Sequence, residues 1–303
     1  MANRKLLVVI TGPTAVGKTG VAIQLAKHFH SVIISADSRQ FYREIPIGTA
    51  QPSVEEMDGV KHHLIASHSI HDVIDSGAYE RMASKILEEE FKTHDVVFVC
   101  GGSGLYIEAL INGFDELPEA DPEIRKALRK KFEEEGIAPL QEELKKLDPE
   151  YYEKVDKDNH ARIMRALEIC KTSGKKYSEL RKGEKKKNDF EVMKFCIDLP
   201  REELYARIDA RVDAMVEKGL EQEARTVHPF KELGALRTVG YKEMFDHFEG
   251  KTSLEKAVEL IKQHSRNYAK RQLTWWRNKP NIRWMSPFQT DVIIGEIDTF
   301  LSN

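Results

Sequence analysis

Gly12-Pro13-Thr14-Ala15-Val16-Gly17-Lys18-Thr19 satisfies the pattern G-x-x-x-x-G-K-[ST] in full. Each fixed position has a chemical reason. The glycines let backbone N–H groups turn inward onto phosphate oxygens with no Cβ in the way. Lys18 adds a point charge, Thr19 offers a hydroxyl to Mg2+, and the helix that follows aims its positive end at the anion. The pattern is the ATP-binding type, the P-loop, and a bound phosphate or diphosphate is expected. A motor ATPase needs a further carboxylate at the end of an apolar strand. The best such strand, Val96–Cys100, instead runs into Gly101-Gly102-Ser103-Gly104. A GTPase would show N-K-x-D, and the only Asn-Lys pair is followed by Pro280-Asn281. A small-molecule kinase, or another group transferase working on a diphosphate, remains.

The next reactive group is Asp37, just past a second strand in Ile33-Ile34-Ser35-Ala36-Asp37-Ser38-Arg39-Gln40. Ligands of parallel sheets sit at that carboxyl edge. Asp37 there is either a general base for an acceptor or a group that orients Mg2+ through water. The plainer alternative is a loop aspartate that caps a short helix. His62, His63, His68 and His71 match no zinc spacing and read as structural.

These groups need elements to position them. Leu6–Thr11 is a β-branched, apolar strand, and residues 18–29 carry Val21, Leu25 and Phe29 at helical spacing. Further strands are expected at 32–35, 95–100 and 190–199, helices at 201–218 and 253–277, the last with Ser253 as N-cap. Strand, turn, helix and strand in alternation imply an α/β fold, a P-loop NTPase-like parallel sheet flanked by helices. From 120 to 189 strand signals vanish, and Asp121-Pro122, Pro139 and Asp148-Pro149 mark helix starts. An inserted all-helical domain over 120–189 is expected, between core segments 1–119 and 190–303.

With 303 residues, 41% apolar and 32% charged, the chain has the profile of a globular protein, and its apolar runs are too short to span a bilayer. No signal peptide is visible, and three widely spaced cysteines fit neither a disulfide framework nor a zinc ribbon. A cytoplasmic protein is expected. The net charge of −3 hides two basic stretches. Residues 171–187 hold eight Lys/Arg against two carboxylates, and 260–290 hold seven against none, with all three tryptophans. An anionic partner is compatible with such local fields. Adjacent Trp275 and Trp276 cannot share one helix face, so at least one is expected in the core.

Taken in order, these motifs resemble the bacterial tRNA dimethylallyltransferase family. The resemblance rests on the phosphate loop, Ile34 to Gln40, Ile47-Gly48-Thr49-Ala50, His62-His63-Leu64-Ile65 and Gly101-Gly102-Ser103-Gly104-Leu105-Tyr106-Ile107. It continues with Arg162-Ile163-Met164-Arg165-Ala166-Leu167-Glu168, Val239-Gly240-Tyr241-Lys242-Glu243 and Arg266-Asn267-Tyr268-Ala269-Lys270-Arg271-Gln272-Leu273-Thr274-Trp275-Trp276. The last of these, with paired tryptophans and basic flanks, is highly specific. The resemblance implies transfer of a dimethylallyl group from dimethylallyl diphosphate to N6 of the adenosine 3′ of the tRNA anticodon, with diphosphate released. It implies that residues 12–19 hold the donor's diphosphate and not ATP, with Mg2+ near Thr19. By the same resemblance Asp37 is the catalytic carboxylate, Lys18 and Thr19 serve the leaving group, and Arg225 is an arginine near the diphosphate. Asp37, Ser38, Arg39, Gln40, Ser103, Arg125 and the run Ala161, Arg162, Ile163, Met164 and Arg165 match the family's tRNA contacts. Threonine is commoner at the Ser103 position, and the hydroxyl is kept. The insertion is expected to grip the anticodon stem-loop, and the protein to act as a monomer. No zinc finger of the kind some eukaryotic relatives carry precedes Asn303, so the bacterial type is expected. The rival readings are a nucleoside or small-molecule kinase, which would consume ATP, and a non-catalytic tRNA-binding protein.

Overall fold

A computed structural model describes residues 4–113, 115, 117–118, 121–181 and 187–302. The chain forms two compact units, 1–111 with 188–303, and 112–187. The expected domain joint at 119–120 and the Lys182, Lys185 and Lys186 part of the first basic stretch lie outside the described residues.

In chain order the first unit begins with β1 (Leu6–Thr11), α1 (Lys18–His28), β2 (Ile33–Ser35), β3 (His62–His63), α2 (Ser76–Glu90), β4 (Val96–Cys100) and α3 (Gly104–Asn112). The helical unit holds α4 (Pro122–Glu135), α5 (Ala138–Leu147), α6 (Pro149–Lys154), α7 (His160–Ser173) and α8 (Tyr177–Leu180). The chain returns with β5 (Glu191–Ile197), α9 (Arg201–Glu217), α10 (Leu220–Val227), α11 (Tyr241–Phe248), α12 (Leu254–Arg277), β6 (Arg283–Met285) and α13 (Thr290–Ser302).

Among the described residues six strands form one sheet in the order β3-β2-β4-β1-β5-β6, every neighbouring pair parallel. Central β1 pairs with β4 (Leu6 opposite Val96) and β5 (Leu6 opposite Glu191), and all six of its residues are buried. Leu7 and Val9 enter one apolar cluster while Leu6, Val8 and Ile10 enter the other. A parallel sheet covered on both faces accounts for near-continuous apolar strands without polar alternation. The edge strands β3 (His62-His63) and β6 (Arg283-Trp284-Met285) are short and carry no apolar run, unlike the equally short β2, and the sequence expectations do not include them. On β3, His62 Nδ1 lies against the Val60 carbonyl and His63 Nε2 against Glu90 at 2.8 Å.

The helical unit is organised by its caps. Asp121 accepts the Glu123 N–H at 2.8 Å, and Asn159 accepts that of Arg162. Asp148, fully buried, accepts the N–H of Tyr151 and the N–H and hydroxyl of Ser178. Its core is Leu128, Leu140, Leu144, Tyr151, Val155, Ile163, Ala166 and Leu167.

Candidate active site

β1, β2 and β4 deliver three loops to the carboxyl edge of the sheet, and backbone contacts leave no room for side chains there. The Thr11 hydroxyl donates to Gly101 O, Ala36 N–H to Cys100 O and Ser103 N–H to Ala36 O. A Cβ on Gly101 would fall 2.2 Å from the Ala36 carbonyl oxygen, and one on Gly12 2.3 Å from that of Ile197. Gly12 also has φ +142°, which L side chains rarely adopt.

Residues 12–19 connect β1 to α1 with Val16 buried as anchor. Among the described residues no side chain caps the amino end of α1, so its first N–H groups face the loop. Lys18 turns back over the loop and donates to Pro13 O at 2.6 Å. Burial pushes its pKa down, while Cys100 and Asp37 pull it up. Asp37 Oδ1 accepts the Arg39 N–H at 3.0 Å, and Ser38 N–H donates to the Ser103 hydroxyl at 3.0 Å. The loops after β2 and β4 are thereby tied together, and Asp37, Ser38 and Ser103 share one edge. Arg39 donates to the carbonyls of Gly234 and Ala235, and Gln40 to those of Thr49 and Ala50.

The expected arginine, Arg225, makes its contacts elsewhere. Arg225 sits on α10, whose buried side is Leu220, Ala224 and Val227. Its guanidinium is exposed, pairs with Glu221 at 2.7 Å and lies 4.2 Å over the Phe248 ring. The arginine at the loop is Arg211 of α9, which donates to the Thr14 hydroxyl at 3.0 Å and to Ala50 O at 3.4 Å. Burial lowers its pKa, and Asp37 is the first charge opposing that. The sequence held a signal: Leu204, Ile208, Arg211, Val212 and Met215 lie on one helical stripe, so Arg211 is a cation on an apolar face.

Gln272 of α12 was also missed as a site residue. It is buried, accepts the Thr14 N–H at 2.9 Å and donates to Gly102 O at 3.0 Å, joining the phosphate loop to the loop after β4. Two cavities open on this edge, of about 550 and 830 Å³. Ser103, Gly102, Gln272 and Trp275 line the first; Thr14, Asp37, Arg211 and Val212 line the second. Ser38, Arg39, Tyr268 and Arg271 line both. The wall shared by both makes them two approaches to one place. Burial, with Asp37 next, pushes the Tyr268 hydroxyl up to about 12, so it stays a donor. Trp276 is fully buried in the core, whereas Trp275 is partly exposed in the first cavity.

In the helical unit, Arg125 forks onto Glu168 (2.8 and 3.2 Å), and Arg165 joins the same carboxylate at 3.0 Å. Glu168 is buried, so both arginines also have a structural partner. Ala161 and Arg162 are exposed and Met164 half-buried. Ile163 has its side chain fully buried in the unit's core.

Mg2+ keeps several waters and takes one or two protein oxygens beside phosphate oxygens, so it needs no protein cage. The Thr19 hydroxyl at the head of α1 suits that demand. Among the described residues there is no group of three or more His, Cys, Asp or Glu that could hold a metal.

The chain is similar to known proteins along nearly its whole length. The family described as IPP transferase matches residues 40–279. The tRNA dimethylallyltransferase of Cytophaga hutchinsonii is 45% identical over 297 residues, covering 98% of this chain and 96% of its own. That of Christiangramia forsetii is 49% identical over 278 residues, covering 92% of each chain. The crystal structure of the full-length tRNA isopentenylpyrophosphate transferase of Bacillus halodurans matches with a TM-score of 0.72 and 35% identity, over 99% of this chain and 97% of that one. A eukaryotic dimethylallyltransferase acting on tRNA matches with a TM-score of 0.78 and 28% identity, over 93% and 74%.

Proposed function

The chain belongs to the tRNA dimethylallyltransferase family, and from that premise we propose how its residues divide the work of prenylating tRNA. The enzyme transfers a dimethylallyl group to the adenosine beside the anticodon. Residues 12–19 cradle the donor's diphosphate, with Lys18 and Arg211 as the cations on it. As the C–O bond of the donor breaks, negative charge grows on the leaving diphosphate, so these groups stabilise the transition state more than the ground state. Mg2+ at Thr19 supplies further charge neutralisation of the diphosphate when bound.

Asp37 takes the proton. The exocyclic N6 amine of adenine is a poor nucleophile; it forms the N–C bond to the prenyl carbon and must lose a proton as it does so. A placed base is typically worth ~10²–10⁴ in rate. The base must be flipped from its loop to reach that carboxylate. The cavity lined by Ser38, Arg39 and Ser103 suits the acceptor, and the second, which reaches Thr14 and Arg211, suits the donor. Arg125, Arg162 and Arg165 belong to the helical unit, whose cations suit the anticodon stem-loop.

One observation carries this division: Asp37 stands in the second cavity with Thr14 and Arg211, next to a wall shared with the first. Purified protein with unmodified tRNA and Mg2+ should move label into tRNA from dimethylallyl diphosphate and not from ATP. Asp37→Ala should lower turnover at least about 100-fold while tRNA affinity stays within about twofold. Near-normal turnover in that variant would remove the general base from Asp37.

A further inference from the structure

The carboxylate of Glu223 on α10 holds a turn that contains none of the reactive groups. Its oxygens accept the N–H groups of Ile47 at 2.7 Å and Gly48 at 2.8 Å, and Oε1 also accepts the Tyr241 hydroxyl at 2.5 Å. Tyr241 is fully buried, and a Cβ on Gly48 would fall 2.4 Å from its oxygen. Glycine is therefore required at 48 by close approach. Burial, reinforced by the Glu223 carboxylate, raises the Tyr241 pKa and keeps it a donor.

A carboxylate on two successive amides is a strong, charge-assisted arrangement. It fixes the amino end of the 46–50 turn, which closes on itself through Ala50 N–H to Ile47 O at 2.9 Å and the Thr49 hydroxyl to Ile45 O at 2.7 Å. The carbonyl end faces the phosphate loop. Ala50 O accepts Gln40 at 3.0 Å and Arg211 Nη2 at 3.4 Å, while Arg211 Nη1 reaches the Thr14 hydroxyl. The turn is a strut with a carboxylate at one end and the loop arginine at the other.

We propose that Glu223 is a positioning residue that sets Arg211 on the donor's diphosphate through the 46–50 turn. This rests on the reading of residues 12–19 as a diphosphate site. It gives one physical role to Ile47-Gly48-Thr49-Ala50 and Val239-Gly240-Tyr241, which the chemistry at Asp37 leaves without any.

The test is a calorimetric titration of Mg2+ and inorganic diphosphate into wild type, Glu223→Gln, Arg211→Gln and the double variant. Glutamine keeps the shape of Glu223 but replaces an acceptor by an NH2 that confronts a backbone N–H. A packing role therefore predicts wild-type affinity. Positioning predicts a loss of about 10-fold, and a double variant that binds no more weakly than Arg211→Gln alone. Unchanged affinity in Glu223→Gln, or a double loss equal to the product of the single losses, would overturn the proposal. Should Glu223→Gln fail to fold, Tyr241→Phe deletes a single donor and carries the same cycle with a loss of about threefold. Wild type that binds no diphosphate would instead overturn the reading of the loop, and this inference with it.

Discussion

Arg211 and Arg225 separate what a motif can say from what a helix face decides. Both arginines lie within one turn of a buried apolar residue, and each helix has an amphipathic pattern. Arg211 stands on the stripe itself, whereas Arg225 follows Ala224 and turns outward onto Phe248. Arg211→Ala should therefore raise KM for dimethylallyl diphosphate and lower kcat, together at least about 100-fold in kcat/KM, from the loss of a buried charge-assisted contact. Arg225→Ala should stay within about threefold, because an exposed i,i+4 pair is worth only a few tenths of a kcal/mol. Steady-state kinetics on the two variants checks this, and the reverse order would return Arg225 to the site. Lys18 and Asp37 stand out in the sequence because the phosphate loop and a strand end mark them, whereas Ser103 is named only by the family resemblance. Gln272 and Glu223 do not stand out, since each acts on backbone groups of segments at least 170 residues away, and no local pattern records such a partner.

At the scale of elements, the presence of an apolar run decided what could be read. β1, β4 and β5 carry runs of five to seven residues, and their positions follow from the apolar pattern. So do α9 and α12, where Ser253 caps as its position suggests by accepting the Lys256 N–H at 3.2 Å. β3 and β6 exist only because a neighbouring strand offers a free edge, a tertiary cause with no local signature. The glycines after β4 give a graded test of how tightly the loops pack. A Cβ on Gly101 meets the Ala36 backbone at 2.2 Å, while one on Gly102 meets the end of the Gln272 side chain at 2.0 Å. A side chain can move aside; a strand end cannot. Gly101→Ala should cost about 3 kcal/mol of folding stability or more, as overpacking against fixed backbone does. Gly102→Ala should cost about 1 kcal/mol, one neutral hydrogen bond, yet weaken diphosphate binding by freeing Thr14 from Gln272. Urea unfolding ranks the two, and equal losses would mean that the edge relaxes more than its packing implies.

For the whole molecule the question is how a chain of net charge −3 holds a polyanion. The basic stretches are partly neutralised by the protein's own carboxylates. Lys262 pairs with Asp213, Arg266 with Asp209 and Lys279 with Glu108. In the helical unit Glu143 takes both Lys171 (2.5 Å) and Lys131 (3.0 Å). Burial alone would push the Glu143 carboxyl up, but hydrogen bonds from these two lysines more than offset it and hold its pKa below the ordinary range. It stays ionised at neutral pH, so an RNA phosphate approaching these lysines would compete with it for both cations. Binding of tRNA should then weaken steeply with salt, because each phosphate neutralised releases counterions. The slope should nonetheless be shallower than the number of Lys and Arg in the two stretches would give. Glu143→Gln, which frees two cations without changing the shape of the side chain, should tighten tRNA binding at low salt and steepen the slope of log K against log[salt] by about one. A flat slope in wild type would deny the electrostatic footprint. An unchanged slope in Glu143→Gln would mean that Lys131 and Lys171 face away from the RNA and serve only to hold α4, α5 and α7 together.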